Sequence, residues 1–372
     1  MKSKPQHIIG SVSRTLLALT FLFSGFVKAI DPLGTVYKIE DYLKAFGGFF
    51  TDLMPLAFAA ALCLIATEAL LGFCMLLNVR TSCTAWLTLL FYLVMTPLTL
   101  YIALTNPISD CGCFGDALVL TNWQTFGKNV VLLALAVTLL CCRKAIPPTF
   151  VWQAELGIAG IALAAVIALM VWTLLHLPLL DFRPYKIGNN IPALMEYPDD
   201  AEPDRYETTF VYARNGEEHT FTLEDYPRGD STWTFVRQNS RLVKKGYEPP
   251  VHDFEILTLD FEDITYDLLD SPVPVTLVVM YDLAKTDLAQ ADKIKELLKR
   301  CNRKNEPCCL LTGSGTEDIF AFARQIGLDD ETTEQVFCTC DPVTLKTIVR
   351  ANPGVVVLKN GTVTDKYNLR NK

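Results

Sequence analysis

Up to about residue 180 the apolar positions of this chain run together, and beyond it they alternate with polar ones. Five long apolar runs stand out: Ile8 to Ile30, Leu53 to Leu77, Cys83 to Leu104, about Phe126 to Cys142, and Trp152 to Leu177. They are apolar all round, where a soluble helix would show a single stripe. Most approach the roughly 20 residues that cross a bilayer, and the fourth is the shortest. The pattern predicts an all-α membrane bundle of about five transmembrane helices. A cleaved signal peptide is the other reading of the first run. Its length, the lack of a clear small-residue cleavage site and the spans that follow favour an anchor.

The second half is punctuated differently. Prolines and acids cluster over 181–206, which reads as a linker or cap. Thr208 to Tyr212, Asn215-Gly216 and His219 to Thr222 read as a hairpin with an Asn-Gly turn. From about Tyr247, strands and helices alternate. Strands are expected at Val275 to Tyr281, Cys308 to Thr312, Val336 to Cys340 and Val355 to Lys359, the last pairing with Val363 onward through Asn360-Gly361. Helices are expected at Leu288 to Cys301, Thr316 to Ile326 and Val343 to Ala351. Such alternation implies an α/β layer. The organisation expected is a four-helix bundle over 1–145, a fifth span within 146–180, a β-rich linker or cap over 181–246, and an α/β domain over 247–372.

Charge adds orientation and removes some partners. The formal net charge is −8 and no basic stripe is present, so nucleic acid is not expected as a partner. Lys2, Lys4 and Arg14 flank the first span, Arg80 lies between the second and third, and Arg143 and Lys144 lie between the fourth and fifth. With alternating spans these fall on one side, expected to be cytoplasmic. The segments 31–52 and 105–125, and everything after 178, then lie outside. The bilayer is the first expected partner. His7, His176, His219 and His252 form no cluster, so no haem or metal site is expected.

The candidate chemistry lies in cysteines and in two intramembrane charges. In an extended strand, Cys111 and Cys113 sit near the limit for a disulfide. A tight turn brings them within reach, and Gly112 permits one. Such a bridge would be strained, and strained bridges are more oxidising. The alternatives are packing or free thiols at a loop, or half of a metal site, although no second ligand pair lies nearby. Of the other cysteines, Cys63, Cys74, Cys83, Cys141 and Cys142 read as packing. Cys338 and Cys340 end a strand, Cys308 and Cys309 lie in another, and a bridge between those strands competes with buried core thiols. Cys301 has no evident partner in sequence. Lys28 and Glu68 are charges in or near apolar spans, where ionisable groups are rare and usually paired. Lys28 could snorkel to the interface; together the two could form a clamp or a proton path.

Two resemblances bear on function. Ser24-Gly25-Phe26-Val27-Lys28-Ala29-Ile30-Asp31-Pro32, Glu68, and Asp110-Cys111-Gly112-Cys113-Phe114-Gly115-Asp116 resemble the DoxX/MauE-type membrane proteins, four-helix bundles that include the methylamine-utilisation accessory protein MauE and are distantly similar to vitamin K epoxide reductases. Tyr247 to Phe254 and Asn352 to Gly361 resemble the thioredoxin-like superfamily, in its TlpA/peroxiredoxin branch, with Pro353 as the cis-proline. That fold carries Cys-x-x-Cys after its first buried strand, where this chain has Asp282-Leu283-Ala284-Lys285-Thr286. The resemblances imply thiol–disulfide exchange or electron relay through Cys111 and Cys113, assisting disulfide formation in envelope proteins. Partners would be envelope protein thiols or a thioredoxin-like protein, at a bacterial inner membrane, with the N-terminus cytoplasmic and the C-terminal domain periplasmic. No cofactor is evident from the residues; the distant reductase likeness implies a quinone, but the segment 31–52 lacks the loop cysteines those proteins use. The alternative is a non-enzymatic scaffold whose degenerate thioredoxin-like face binds an envelope partner.

Overall fold

A computed structural model describes residues 4–372 except 109, 110, 148, 204, 215 and 245, and the side chain of Leu242. The five apolar runs are helices: α1 (Lys4–Ile30), α3 (Ala57–Leu76), α4 (Thr81–Thr105), α5 (Asn122–Cys142) and α6 (Trp152–Leu175). Large apolar side chains such as Leu90, Leu93, Val94 and Ile161 point outward from them. That is unfavourable in water and ordinary in lipid. The chain is a membrane protein in this sense. The fourth run, shortest in sequence, gains a turn at its start, where Thr121 and Gln124 form a reciprocal cap.

Inside the bundle, Leu17 and Phe21 of α1 pack with Leu71 and Met75 of α3, Tyr92 of α4, and Leu132 and Leu139 of α5. Helix α6 lies outside this group, where Val166 and Met170 meet Ala29, Ile65 and Ala69. Close approach of α1 and α3 depends on glycine. A Cβ on Gly25 would stand 2.7 Å from the Ala69 backbone nitrogen, and one on Gly72 2.8 Å from that of Leu22. Small residues at crossing points are how membrane helices bring backbones together.

The segment 31–52 is not the open loop that the run pattern suggests. Helix α2 (Pro32–Phe46) fills most of it, followed by a 3-10 stretch over Gly48–Leu56. Asp31 caps α2 by accepting from the Gly34 nitrogen at 3.1 Å, with Pro32 at the first helical position. This start signal is present in the sequence. Hydrophobicity alone missed it, because α2 is short and polar on one side. Val36 seats α2 against Ala57 and Ala61 of α3.

After α6 the chain passes through a short helix, α7 (Ile191–Met195), into a three-stranded antiparallel sheet of β1 (Arg205–Arg214), β2 (Glu217–Thr222) and β3 (Thr234–Lys244), ordered β2-β1-β3. The expected hairpin is β1–β2; Asn215 of its turn lies outside the described residues. A second, six-stranded sheet follows, ordered β4-β7-β6-β5-β8-β9. Its strands are β4 (Leu257–Thr258), β5 (Val275–Val279), β6 (Cys308–Thr312), β7 (Phe337–Thr339), β8 (Gly354–Lys359) and β9 (Thr362–Asn368). Strands β5, β6 and β7 are parallel, while β4, β8 and β9 run antiparallel to their neighbours.

Helices cover both faces, as parallel pairing requires. They are α8 (Thr265–Leu269), α9 (Ala291–Lys304), α10 (Thr316–Ile326), α11 (Asp330–Val336) and α12 (Pro342–Ile348). Alternate residues of each strand feed opposite cores. Leu277, Val279 and Leu311 join Leu345 and Ile348 on one side, with Tyr185 and Ile191 from before the small sheet. Val278, Leu310 and Phe337 join Ile294, Ile319 and Phe322 on the other. The layout expected from sequence, an apolar helical bundle followed by an α/β domain with a small β-rich piece between them, is the observed one. The peptide bond between Asn352 and Pro353 is cis. Its loop faces the Asp282–Thr286 stretch: Asn352 donates to the Asp282 carbonyl at 2.7 Å, and the Thr286 hydroxyl donates to Asn352 Oδ1 at 3.0 Å.

Candidate functional site: a cysteine turn over a buried ion pair

The segment between α4 and α5 folds back over the end of the bundle. Asn122, at the start of α5, donates to the Asn106 side chain at 2.7 Å and to the Ile108 carbonyl at 2.8 Å, fixing the base of the turn. Gly112 takes a left-handed φ of 64°, and the Gly115 nitrogen closes onto its carbonyl at 3.1 Å. A side chain at Gly112 would meet Lys38 of α2 at 2.8 Å, so both conformation and space call for glycine. The turn brings Cys111 Sγ to 3.0 Å from Cys113 Sγ, both as free thiols. A disulfide of about 2.05 Å needs only a small further approach.

Three elements hold this turn. The Tyr42 hydroxyl of α2 donates to the Cys111 carbonyl at 2.9 Å. The Ser24 hydroxyl of α1 lies 2.7 Å from the Cys113 carbonyl and 2.8 Å from Glu68 Oε2. Ser24 has one proton to give, so it serves one of these acceptors at a time. Phe114 packs edge-on against Phe23 at 5.2 Å, and the Lys128 ammonium lies 4.3 Å from its ring centroid.

Beneath the turn is the intramembrane pair. Lys28 Nζ stands 2.7 Å from Glu68 Oε1 and 2.8 Å from Oε2, and donates to Ser24 at 3.0 Å. Both side chains are only 6 % exposed. The two charges therefore face the interior as a bidentate clamp. Lys28 does not snorkel to the interface.

The electrostatics of the sulfurs are unequal. The hydrogen bond from Cys111 brings Cys113 down to about 6, with Lys128 and Lys28 adding to it against the opposing effect of burial. Giving that bond pushes Cys111 up, and burial adds to the rise. Acids flank the turn in sequence, and a carboxylate close to a thiol disfavours its thiolate. Asp110 lies outside the described residues, and Asp116 is engaged by Arg350 at 3.3 Å. The cations of α1 and α5 act in the other direction.

A cavity of about 380 Å³ opens beside the sulfurs. Its lining is largely apolar, with Phe21, Phe91, Tyr92 and Leu98, and it includes Lys28, Lys128 and Tyr42. Linker residues Leu180, Phe182 and Arg183 close one side.

The remaining cysteines lie apart from this turn, in the α/β domain and along the helices. Strands β6 and β7 are neighbours, and Cys309 donates to Cys338, holding Cys338 below the ordinary thiol range and pushing Cys309 up. Burial pushes Cys340 up to about 12. Cys301, without an evident partner in sequence, accepts a hydrogen bond from Cys308 across the α9–β6 contact. These thiols are packed in or against the sheet core. Pro353 and the Asp282–Thr286 stretch carry no sulfur.

Residues that sequence reasoning missed are Tyr42, Lys38 and Lys128 around the turn, and Arg350, Tyr37 and Tyr281 beside it. Lys128 was visible as a charge near the start of an apolar run. Tyr37, Lys38 and Tyr42 required α2 to be recognised as a helix, and Arg350 and Tyr281 required the meeting of the α/β domain with the bundle.

Neither the curated proteins nor the solved structures compared with this chain gave a match. Residues 206–245, the small sheet, match a family described as a domain of unknown function (DUF8463). Residues 6–142, which hold Lys28, Glu68 and the whole cysteine turn, match the family of the methylamine utilisation protein MauE, a membrane family.

Proposed function

We propose that this chain is a membrane thiol–disulfide oxidoreductase of the bacterial envelope, with Cys111 and Cys113 as its exchanging couple. The observation that carries the reading is the pair of sulfurs 3.0 Å apart in a glycine turn above a buried Lys28–Glu68 clamp. The match to the MauE family supports a membrane role in a redox or methylamine-utilisation setting.

In the oxidised form, a thiolate of the substrate protein attacks the Cys111 sulfur. The Cys111–Cys113 bond breaks and a mixed disulfide forms. Cys113 leaves as the thiolate, since the sulfur of lower pKa leaves faster. A second substrate thiolate then attacks the substrate sulfur of the mixed disulfide and releases Cys111. The substrate ends as a disulfide, and the couple has gained two electrons and the two protons. The charges of Lys128 and Lys28 stabilise the leaving thiolate.

The couple must then be reoxidised, and a thioredoxin-like partner or a lipid-soluble quinone would serve. The cavity fits a quinone, because its lining joins the apolar Phe21, Phe91 and Leu98 to the hydrogen-bonding groups of Tyr42 and Lys128. Such a molecule would supply a two-electron acceptor. We read residues 247–372 as a thioredoxin-like domain that has lost its Cys-x-x-Cys. The contact of the Pro353 loop with Asp282 and Thr286 supports this. The scaffold alternative would need that face for a partner, yet Tyr281 of this face already meets Tyr37 of the bundle at 3.1 Å.

The test is genetic and chemical. Cys111→Ser and Cys113→Ser should abolish envelope disulfide formation equally, and the double variant should be no worse than either, as for residues acting as a unit. Acid quenching and alkylation of wild type should find both thiols free in some molecules and both masked in others. Normal function in both single variants, or thiols free under every growth condition, would defeat the proposal.

A further inference from the structure

The end of the α/β sheet that carries the cis-proline loop is turned onto the bundle. Arg350, just before that loop, is 8 % exposed. Its Nε lies 3.1 and 2.9 Å from the two carboxylate oxygens of Asp31, and its Nη2 lies 3.3 Å from Asp116. Asp31 is the cap of α2, and Asp116 follows the cysteine turn. The guanidinium also faces Tyr37 of α2 at 5.3 Å, with Lys346 on the same ring at 4.7 Å. The Tyr37 hydroxyl donates to that of Tyr281 at 3.1 Å. Nearby, Arg183 holds both oxygens of Asp181 and donates to the Thr347 carbonyl at 3.1 Å, which fixes the linker wall of the cavity to α12.

A buried guanidinium bridging two carboxylates from separate elements sets their spacing, because the planar fork fixes the direction of each bond. Here one carboxylate starts α2, whose Tyr42 holds Cys111, and the other lies three residues beyond Cys113. We propose that Arg350 is a positioning residue for the cysteine couple, so that the α/β domain is a working part of the bundle's site. This rests on the redox reading above for its purpose, but its geometry can be tested without it. With Arg350 in place, small reagents reach the sulfurs through the cavity and bulky ones are held off by the docked domain and linker. A protein thiol therefore enters only when the dock opens.

The experiment uses the full chain, reduced, in lipid nanodiscs, with the other cysteines replaced by Ser or Ala. Labelling by N-ethylmaleimide is compared with labelling by a 5-kDa polyethylene-glycol maleimide. Arg350→Gln should raise the rate for the bulky reagent about tenfold or more and leave the small one within about twofold. Arg350→Lys should restore part of the restriction. Asp116→Asn should act in the same direction, and Arg350→Gln with Asp116→Asn should exceed Arg350→Gln alone by little, since the two share one interaction. The midpoint of the couple in a dithiothreitol series should shift in Arg350→Gln and stay put in the control Arg324→Gln, which loses an exposed ion pair of the same domain. If Arg350→Gln misfolds, Tyr37→Phe serves as the milder variant. Equal bulky-reagent rates and equal midpoints in Arg350→Gln and Arg324→Gln would overturn the proposal. Thiols that never oxidise in cells, with the labelling contrast intact, would defeat the redox function and leave the positioning role standing.

Discussion

Cys113 has two kinds of neighbour that decide its chemistry, a sulfur two residues away and ammonium groups from two other helices. Its acidity is held at about 6, against an ordinary thiol value of 9.0. The lowered value means the thiolate is present above about pH 6 and is lost by protonation below it. Iodoacetamide alkylation of the reduced protein should therefore be half-maximal at Cys113 near pH 6, with Cys111 unreactive until far higher pH. Cys111→Ala removes the donor and should move the Cys113 profile upward by more than one pH unit, and Lys128→Met should move it the same way by less. A Cys113 profile that ignores the loss of Cys111 would refute the coupling. The motif itself was plain in the sequence, from spacing and glycine alone. The unequal acidities were not, because they come first from the hydrogen bond that the turn sets between the two sulfurs and then from Lys128 and Lys28, whose distance from Cys113 in sequence gives no sign of their approach.

At the level of elements, α1 and α3 form the frame on which the turn rests. Gly25 and Gly72 let the two helices touch, and the Lys28–Glu68 pair then falls between them. Removing one partner leaves a buried charge and should cost about 3–5 kcal/mol, whereas replacing both with apolar residues of similar size should cost far less. Thermal unfolding in nanodiscs should thus rank Lys28→Met and Glu68→Gln well below Lys28→Met/Glu68→Leu. Leu90→Ala, at a lipid-facing position 59 % exposed, serves as the reference. Glu68→Gln matching that reference would sink the clamp. Both charges were legible as exceptions within apolar runs, and their partnership followed if the first two spans are neighbours. Helix α2 does not stand out as an apolar run. Its Asp-Pro start was readable, but a run of mixed polarity between two strong apolar signals reads as a loop.

At the level of the whole molecule, the five spans place the α/β domain at one end of the bundle and Arg80 and Arg143 at the other. There the two arginines stack on Trp152 and Trp86 at 4.6 and 5.7 Å. Basic residues favour the cytoplasmic side. Reporter fusions after Lys372 should be active only outside the cytoplasm, and fusions at Arg80 only inside; a cytoplasmic signal at Lys372 would reverse the assignment. The division into an apolar half and an alternating half was legible from residue pattern. How the halves meet was not, since Arg350 and Asp31 are 319 residues apart and neither is unusual in its own neighbourhood.

The last strand does something more to the last span. Asn368 and Asn371 reach back to the carbonyls of Leu175 and His176, where α6 runs out of partners of its own. The soluble sheet thereby finishes a membrane helix. The domain is thus fastened to the end of the span by side-chain hydrogen bonds and does not hang from it by the chain alone.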